Sequence, residues 1–190
     1  METLHWTSHD LEFLPDDGKR YEIVDGELYM SKQPRWEHQL ISGELYTLLS
    51  IWSKQTRRGV ANLAPGVIFD EDDDVAPDLV WISRERLATA LHSDGKLHSA
   101  PELAIEILSP GRPNNEYRDR EVKLKLYSRR GVLEYWVVDW KERSIEIYQR
   151  ERALLTLNRK LYANDVLESP LLPGFSCLLS QLFSEAFGED

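Results

Sequence analysis

The sequence predicts an α/β domain built around a mixed central β-sheet flanked by helices, with a β-hairpin near its start. Three observations carry this. Short β-prone runs are mixed with helical stretches. One strand–helix–strand crossover joins residues 102–108 to residues 133–139. Asp25-Gly26, a pair that tolerates the positive φ of a tight turn, separates two β-prone runs at 21–24 and 27–30.

The remaining elements follow in order. Leu40, Ile41, Leu45, Leu48, Leu49 and Trp52 form one helical stripe, so a helix is expected over 36–53. Residues 66–69 read as a strand. The acid run at 70–74 lacks the glycine and terminal glutamate spacing of a calcium loop and reads as a solvated turn. A strand over 78–82 leads to Ser83, placed to cap a short helix over 84–91. The strand at 102–108 ends at 109–115, where Pro110, Gly111 and Pro113 argue against helix and strand alike. A helix over 116–130 stops at Gly131. Strands at 133–139 and 144–148, a hairpin within 153–165 and a helix over 180–187 complete the chain. Without a repeat, low-complexity tract or linker, residues 1–190 are expected to form a single domain.

Composition narrows the function classes. With 190 residues, 42% of them hydrophobic, the chain can bury a core and is not a disordered one. No apolar run reaches the length of a membrane span, and the N-terminus has neither the basic region nor the apolar region of a secretory signal, so a cytoplasmic protein without membrane contact is expected. The single Cys177 excludes an intramolecular disulfide, and no Cys/His cluster has zinc spacing. The net charge of -10 argues against strong nonspecific nucleic-acid binding. The charge is uneven, however: residues 112–130 hold seven basic side chains against three acids, either a solvated helix face or a surface for a polyanion.

The chemistry lies in acids set among apolar residues. Asp78 follows Pro77 and opens the apolar run Leu79-Val80-Trp81-Ile82. Glu106 lies near the end of Leu103-Ala104-Ile105-Glu106-Ile107-Leu108. A desolvated carboxylate costs free energy unless cations or donors compensate it. Side chains alternate along a strand, so Glu102 shares a face with Glu106 but sits about 13 Å away, too far to hold the same ion, and reads as solvated. If the two strands pair, Asp78 and Glu106 meet at one end. The competing readings are a capping or turn aspartate for Asp78 and an exposed edge-strand acid for Glu106. Lys123 has Asp119 at i−4, Leu126 at i+3 and Tyr127 at i+4 and borders the buried helix face, whereas Lys125 lies on an outer stripe. Two converging carboxylates and a lysine suit a Mg²⁺ site that cuts phosphodiesters.

This series resembles the PD-(D/E)XK nuclease superfamily and, more narrowly, the Uma-type family of restriction-endonuclease-like proteins. The resemblance runs from Tyr21-Glu22-Ile23-Val24-Asp25-Gly26 through His38, Pro77-Asp78, Glu102 to Pro110 and Lys123 to Gly131 through Asp139. It implies a restriction-endonuclease-like fold and a metal-dependent endonuclease acting on DNA, with Mg²⁺ as cofactor, Mn²⁺ able to substitute, and a homodimer as the working form. It implies Asp78, Glu106 and the carbonyl of Ile107 as metal ligands, Lys123 as the catalytic lysine and Glu22, or alternatively Glu44, as a further acid. The superfamily's usual lysine position falls on Leu108, and the helix residue Lys123 replaces it. His38 reads equally as a packing or capping residue, and Asp139 as a cap for the turn after its strand. Trp140 and Tyr148 are candidates for an interface, with core packing the default. A noncatalytic binding domain on the same fold, and a phosphohydrolase acting on small nucleotides, remain the alternatives.

Overall fold

The computed structural model describes residues 4–111 and 113–187, the side chains of 185–187 excepted. Residues 1–3, the start of the segment compared with a secretory signal, and Arg112 of the basic stretch lie outside the described residues.

A 3₁₀ turn at Asp10–Phe13 precedes the hairpin of β1 (Arg20–Val24) and β2 (Glu27–Ser31). The turn is the one that Asp25-Gly26 predicts, with φ of 53° and 71° at its two residues. Helix α1 (Trp36–Thr56) runs three residues beyond its expected end. Next come β3 (Gly59–Leu63), β4 (Val67–Asp70), β5 (Asp73–Val75) and β6 (Leu79–Ser83). Helix α2 (Arg84–Ala90) is capped by Ser83, whose hydroxyl accepts from the Arg86 N–H at 3.2 Å. Strand β7 (Leu103–Ile107) leads into α3 (Pro113–Tyr117), a π-helical turn (Arg118–Val122) and α4 (Lys123–Arg130). Strands β8 (Glu134–Asp139), β9 (Ser144–Glu151), β10 (Leu154–Tyr162), β11 (Val166–Leu167) and β12 (Cys177–Leu178) precede the final helix α5 (Leu179–Phe187).

Six strands form the main sheet in the order β10-β9-β8-β7-β6-β3. Only β7 and β8 are parallel, as the crossover through α3 and α4 requires. Strands β2, β1, β5 and β4 form a second, antiparallel sheet. Alternation along the main sheet divides the core in two. Leu79, Trp81, Leu103, Ile105 and Trp136 pack with α1 and α5, while Val80, Ala104, Tyr135 and Val137 pack with α4 and the small sheet. Asp78 and Glu106 fall in phase with the second face, so their carboxylates point between the two sheets.

Several expectations are corrected. The helix leading to Lys123 begins at Pro113, within the stretch read as irregular, because proline is well suited to a first helical turn, where its missing N–H has no intrahelical partner to lose. The late hairpin joins β9 to β10 through Arg152-Ala153 instead of lying within 153–165. Strands β3, β5, β11 and β12 were not expected. The acid run is a solvated turn only in part: Glu71 and Asp72 form a turn with Glu71 exposed, but Asp73 and Asp74 are buried in β5, where Arg129 and Arg130 clasp Asp73 and Lys96 reaches Asp74 at 3.2 Å. Glu102 is buried, accepting from the Ser83 N–H at 3.0 Å and pairing with Arg86. Trp140 is a core residue whose indole N–H donates to the Leu108 carbonyl, and Tyr148 is half-buried against Tyr135.

Candidate active site

Antiparallel pairing of β6 and β7 matches Leu79 with Ile105, and one further step sets Asp78 opposite Glu106. The two acids therefore share one sheet face at the point where β7 runs into the irregular stretch that begins at Leu108. The main-chain N–H of Ile107 donates to Oδ2 of Asp78 at 2.9 Å, tying the strands together at this place. Strand β7 is interior to the sheet, and Glu106 is buried instead of being an exposed edge acid.

The cations come from other elements. Lys123, the first residue of α4, is 1% exposed, and its Nζ lies 2.8 Å from Oε1 of Glu106 and 2.8 Å from Oε1 of Glu22. Tyr127, one turn further on, donates its hydroxyl to the same Glu106 oxygen at 2.8 Å. Glu22 reaches the site from β1, fully buried, and also accepts from the Ala76 N–H at 2.9 Å. Arg118 lies 3.5 Å from Glu22 and donates to Asp119 at 3.0 Å. The His38 ring Nε2 lies 3.0 Å from Oδ2 of Asp78, and Arg20 Nη1 donates to Oδ1 at 3.1 Å.

Thus Glu22, Asp78, Glu106, Ile107 and Lys123 meet at one place. Glu44, the alternative acid, lies on α1 near Cys177, whose thiol its charge helps to push up. Lys125 is exposed on the outer side of α4, and Asp139 caps its turn by accepting from the N–H groups of Lys141 and Glu142. Arg20, Arg118, Asp119 and Tyr127 complete the cluster without having been singled out. Tyr127 was legible as the i+4 neighbour of Lys123. Arg118 and Asp119 lay inside a segment whose charge density suggested solvent.

One lysine serves two carboxylates, and the electrostatics follow from that shortage. Burial pushes Glu106 up to about 8, and Asp78, Asp119 and Glu22 add to the rise against the pull of Lys123. Burial also opposes the charge on Lys123, but Glu106 and Glu22 outweigh it and keep the ammonium protonated. Asp78 moves the other way. Burial would raise it, yet His38, Lys123 and the Ile107 N–H hold it well below the usual carboxylate range. The bond to Asp78 likewise raises His38 despite its burial.

Asp78 opens onto a cleft of about 310 Å³ bounded by Lys19, Arg20, Lys32, His38, Ile107 and Arg118. Among the described residues, no group of three or more His, Cys, Asp and Glu side chains is arranged to hold a metal ion. Two opposed carboxylates beside a main-chain carbonyl nevertheless fit a Mg²⁺-type ion, which takes one or two carboxylates and keeps several waters. A buried Glu106 whose charge is undercompensated is the local reason for a further cation.

The basic stretch is corrected here. Arg118 and Lys123 are consumed inside the site, Arg120 pairs with Glu146 and Asp139, and Arg129 and Arg130 pair with Asp25, Asp70 and Asp73. Of its described cations, Lys125 is left to face solvent.

A family model described as "Uma2: Putative restriction endonuclease" matches residues 8–180. Among solved structures, the chain is similar to a putative nuclease belonging to DUF820 from Anabaena variabilis, with 19% identity and a TM-score of 0.75 over 95% of this chain and 98% of that one. That likeness is one of fold. The type IIG restriction endonuclease BpuSI matches with 13% identity and a TM-score of 0.42, over 82% of this chain and 17% of that one. No curated protein matches.

Proposed function

The chain belongs to the Uma2 family of putative restriction endonucleases, and from that premise we propose that it hydrolyses DNA phosphodiester bonds with a divalent metal ion, Mg²⁺ or Mn²⁺. The observation that carries the reading is Asp78, which opens onto the cleft, set across the strands from the buried Glu106, with Lys123 held 2.8 Å from Glu106. Asp78, Glu106 and the carbonyl of Ile107 would hold the ion. A divalent cation bound there supplies Lewis-acid activation of water and of the phosphodiester.

The protein's own groups have separable parts. His38 and the Ile107 N–H fix the Asp78 carboxylate in one orientation. Lys123 stays protonated and offers its charge to the phosphate in the transition state. Glu22 holds that ammonium in place from β1, and Tyr127 steadies Glu106. A homodimer would carry two such sites, one for each strand.

The test is titration of Mg²⁺ and Mn²⁺ into the purified protein with supercoiled plasmid, beside Asp78→Ala. Metal-dependent nicking or linearisation that disappears in the variant supports the reading, and linear product arising without a nicked intermediate supports the dimer. Lys123→Ala should lower cleavage on the order of 10²–10³-fold while keeping most of the metal binding. No cleavage of plasmid or oligonucleotide by folded protein with either ion would overturn the assignment, and hydrolysis of nucleoside triphosphates alone would replace it with a phosphohydrolase.

A further inference from the structure

Both oxygens of Asp78 are engaged by the protein, but by partners of unequal kind. Oδ2 accepts from the Ile107 main-chain N–H at 2.9 Å and lies 3.0 Å from His38 Nε2. Ile107 and His38 are buried and sit on β7 and α1, elements fixed by the core. Oδ1 accepts from Arg20, at the first residue of β1, over a longer 3.1 Å. The Arg20 side chain is 38% exposed and bounds the open cleft, and the same Nη1 also donates to the Ala76 carbonyl at 3.1 Å.

An ion entering beside Glu106 needs a lone pair of Asp78: Oδ2 already has two partners, whereas Oδ1 accepts one bond and offers its second lone pair directly beside the guanidinium. Releasing Oδ2 would strand a buried N–H, which costs far more than releasing a donor that water can solvate. Releasing Oδ1 strands nothing, because the guanidinium already reaches water and keeps the Ala76 carbonyl within range. Two cations on one carboxylate oxygen also repel each other at short range. A guanidinium freed at the cleft wall is a planar fork suited to phosphate oxygens.

We propose that Arg20 is a displaceable counter-cation: it occupies the Asp78 oxygen that a divalent metal ion takes, leaves as the ion binds, and then engages a phosphate oxygen of the substrate. The inference rests on the metal-dependent nuclease reading and adds to it a coupling between loading of the ion and capture of the substrate. Lys19, the preceding residue, bounds the same cleft but pairs with Asp17 and does not touch Asp78, so it separates displacement from general charge.

The test is Mn²⁺ affinity by calorimetry for the wild-type protein, Arg20→Met and Lys19→Met, with near-ultraviolet circular dichroism verifying the fold. Arg20→Met should bind Mn²⁺ roughly tenfold tighter, and Lys19→Met should stay within about twofold of wild type. Arg20→Gln, which can still donate to Ala76, should show the same tightening and stands in should the methionine variant not fold. Equal tightening in Arg20→Met and Lys19→Met, or none in either Arg20 variant, would overturn the displacement and leave the nuclease reading standing. Absence of Mn²⁺ binding by all of these folded proteins would overturn the metal site itself. Fluorescence anisotropy with a phosphorothioate oligonucleotide reads the second half. Mn²⁺ should raise the affinity of the wild type more than that of Arg20→Met, and equal gains would overturn the phosphate contact.

Discussion

Lys123 is a buried ammonium shared between two buried carboxylates, and its removal leaves charge without compensation. Lys123→Met should therefore destabilise the fold by about 3–5 kcal/mol, read from urea unfolding at pH 7. Combining it with Glu22→Gln should cost less than the sum of the two single changes, because the glutamine removes the Glu22 carboxylate that the missing ammonium leaves charged. The pH dependence has a definite sign. A carboxyl raised to about 8 binds a proton in the folded state that the unfolded chain has released, so it lowers stability as pH rises from the unfolded value towards 8. In the wild type that loss levels off above about 8, where Glu106 ionises against Lys123. Without the lysine the folded value moves higher and the loss continues, so the gap between wild type and Lys123→Met should widen above pH 8. These residues were legible because their types conflict with their surroundings: Asp78 and Glu106 interrupt or open apolar runs, and Lys123 sits among Asp119, Leu126 and Tyr127. Arg20 gave no such signal, since an arginine at the start of a hairpin is ordinary until the fold brings it 3.1 Å from Asp78.

At the scale of elements, the π-helical turn at Arg118–Val122 sets the phase of the helix that carries the lysine. The Lys123 N–H donates to the Arg118 carbonyl across five residues, so Arg118, Asp119 and Lys123 are all buried on the sheet side. A regular helix advances about 100° per residue, and the π turn departs from that period; in the sequence it is the charge density of 112–130 that points Arg118 and Asp119 towards solvent. Deleting Glu121, which is exposed within the turn, should restore a regular helix. The expected outcome is retained far-ultraviolet helix signal with loss of Mn²⁺ binding, since either Lys123 or the Arg118–Asp119 pair must rotate out. The acid run on β5 was misread for a related reason, because its partners Arg129 and Arg130 lie more than fifty residues away on α4. Burial would raise Asp73, but Arg129, the Asp25 N–H and Arg130 overcome it and hold the carboxyl below the usual carboxylate range. Such a group stabilises fully above its unfolded pKa, and the contribution is lost as pH falls through the folded value. Asp73→Asn should thus lower the melting temperature most at neutral pH, and the difference from wild type should close as the pH is taken below about 4.

For the whole molecule, the division of the core follows from alternation that is visible in the sequence, but the use of its charge does not. The net charge is -10, and the one basic stretch spends its described cations on acids of the same chain, apart from Lys125. Composition cannot reveal this, because an arginine bound to a distant aspartate and an arginine facing a polyanion are the same letter. The consequence concerns how a nucleic acid is held. Each phosphate neutralised by the protein contributes about −0.9 to the slope of log affinity against log salt. If residues 112–130 faced DNA, roughly six contacts would give a slope near −5. If only the cleft cations Lys19, Arg20 and Lys32 reach phosphates, the slope should be about −2 to −3. Anisotropy of a phosphorothioate duplex from 50 to 300 mM KCl at fixed Mg²⁺ distinguishes the two. The shallow slope is expected, together with weak binding when the divalent ion is removed, since an acidic protein with few cations at its cleft needs the ion to bring a phosphate to Asp78 and Glu106. A steep slope would mean that the ion pairs of α4 with β5 open when DNA binds, and Asp73→Asn should then strengthen binding by releasing Arg129 and Arg130.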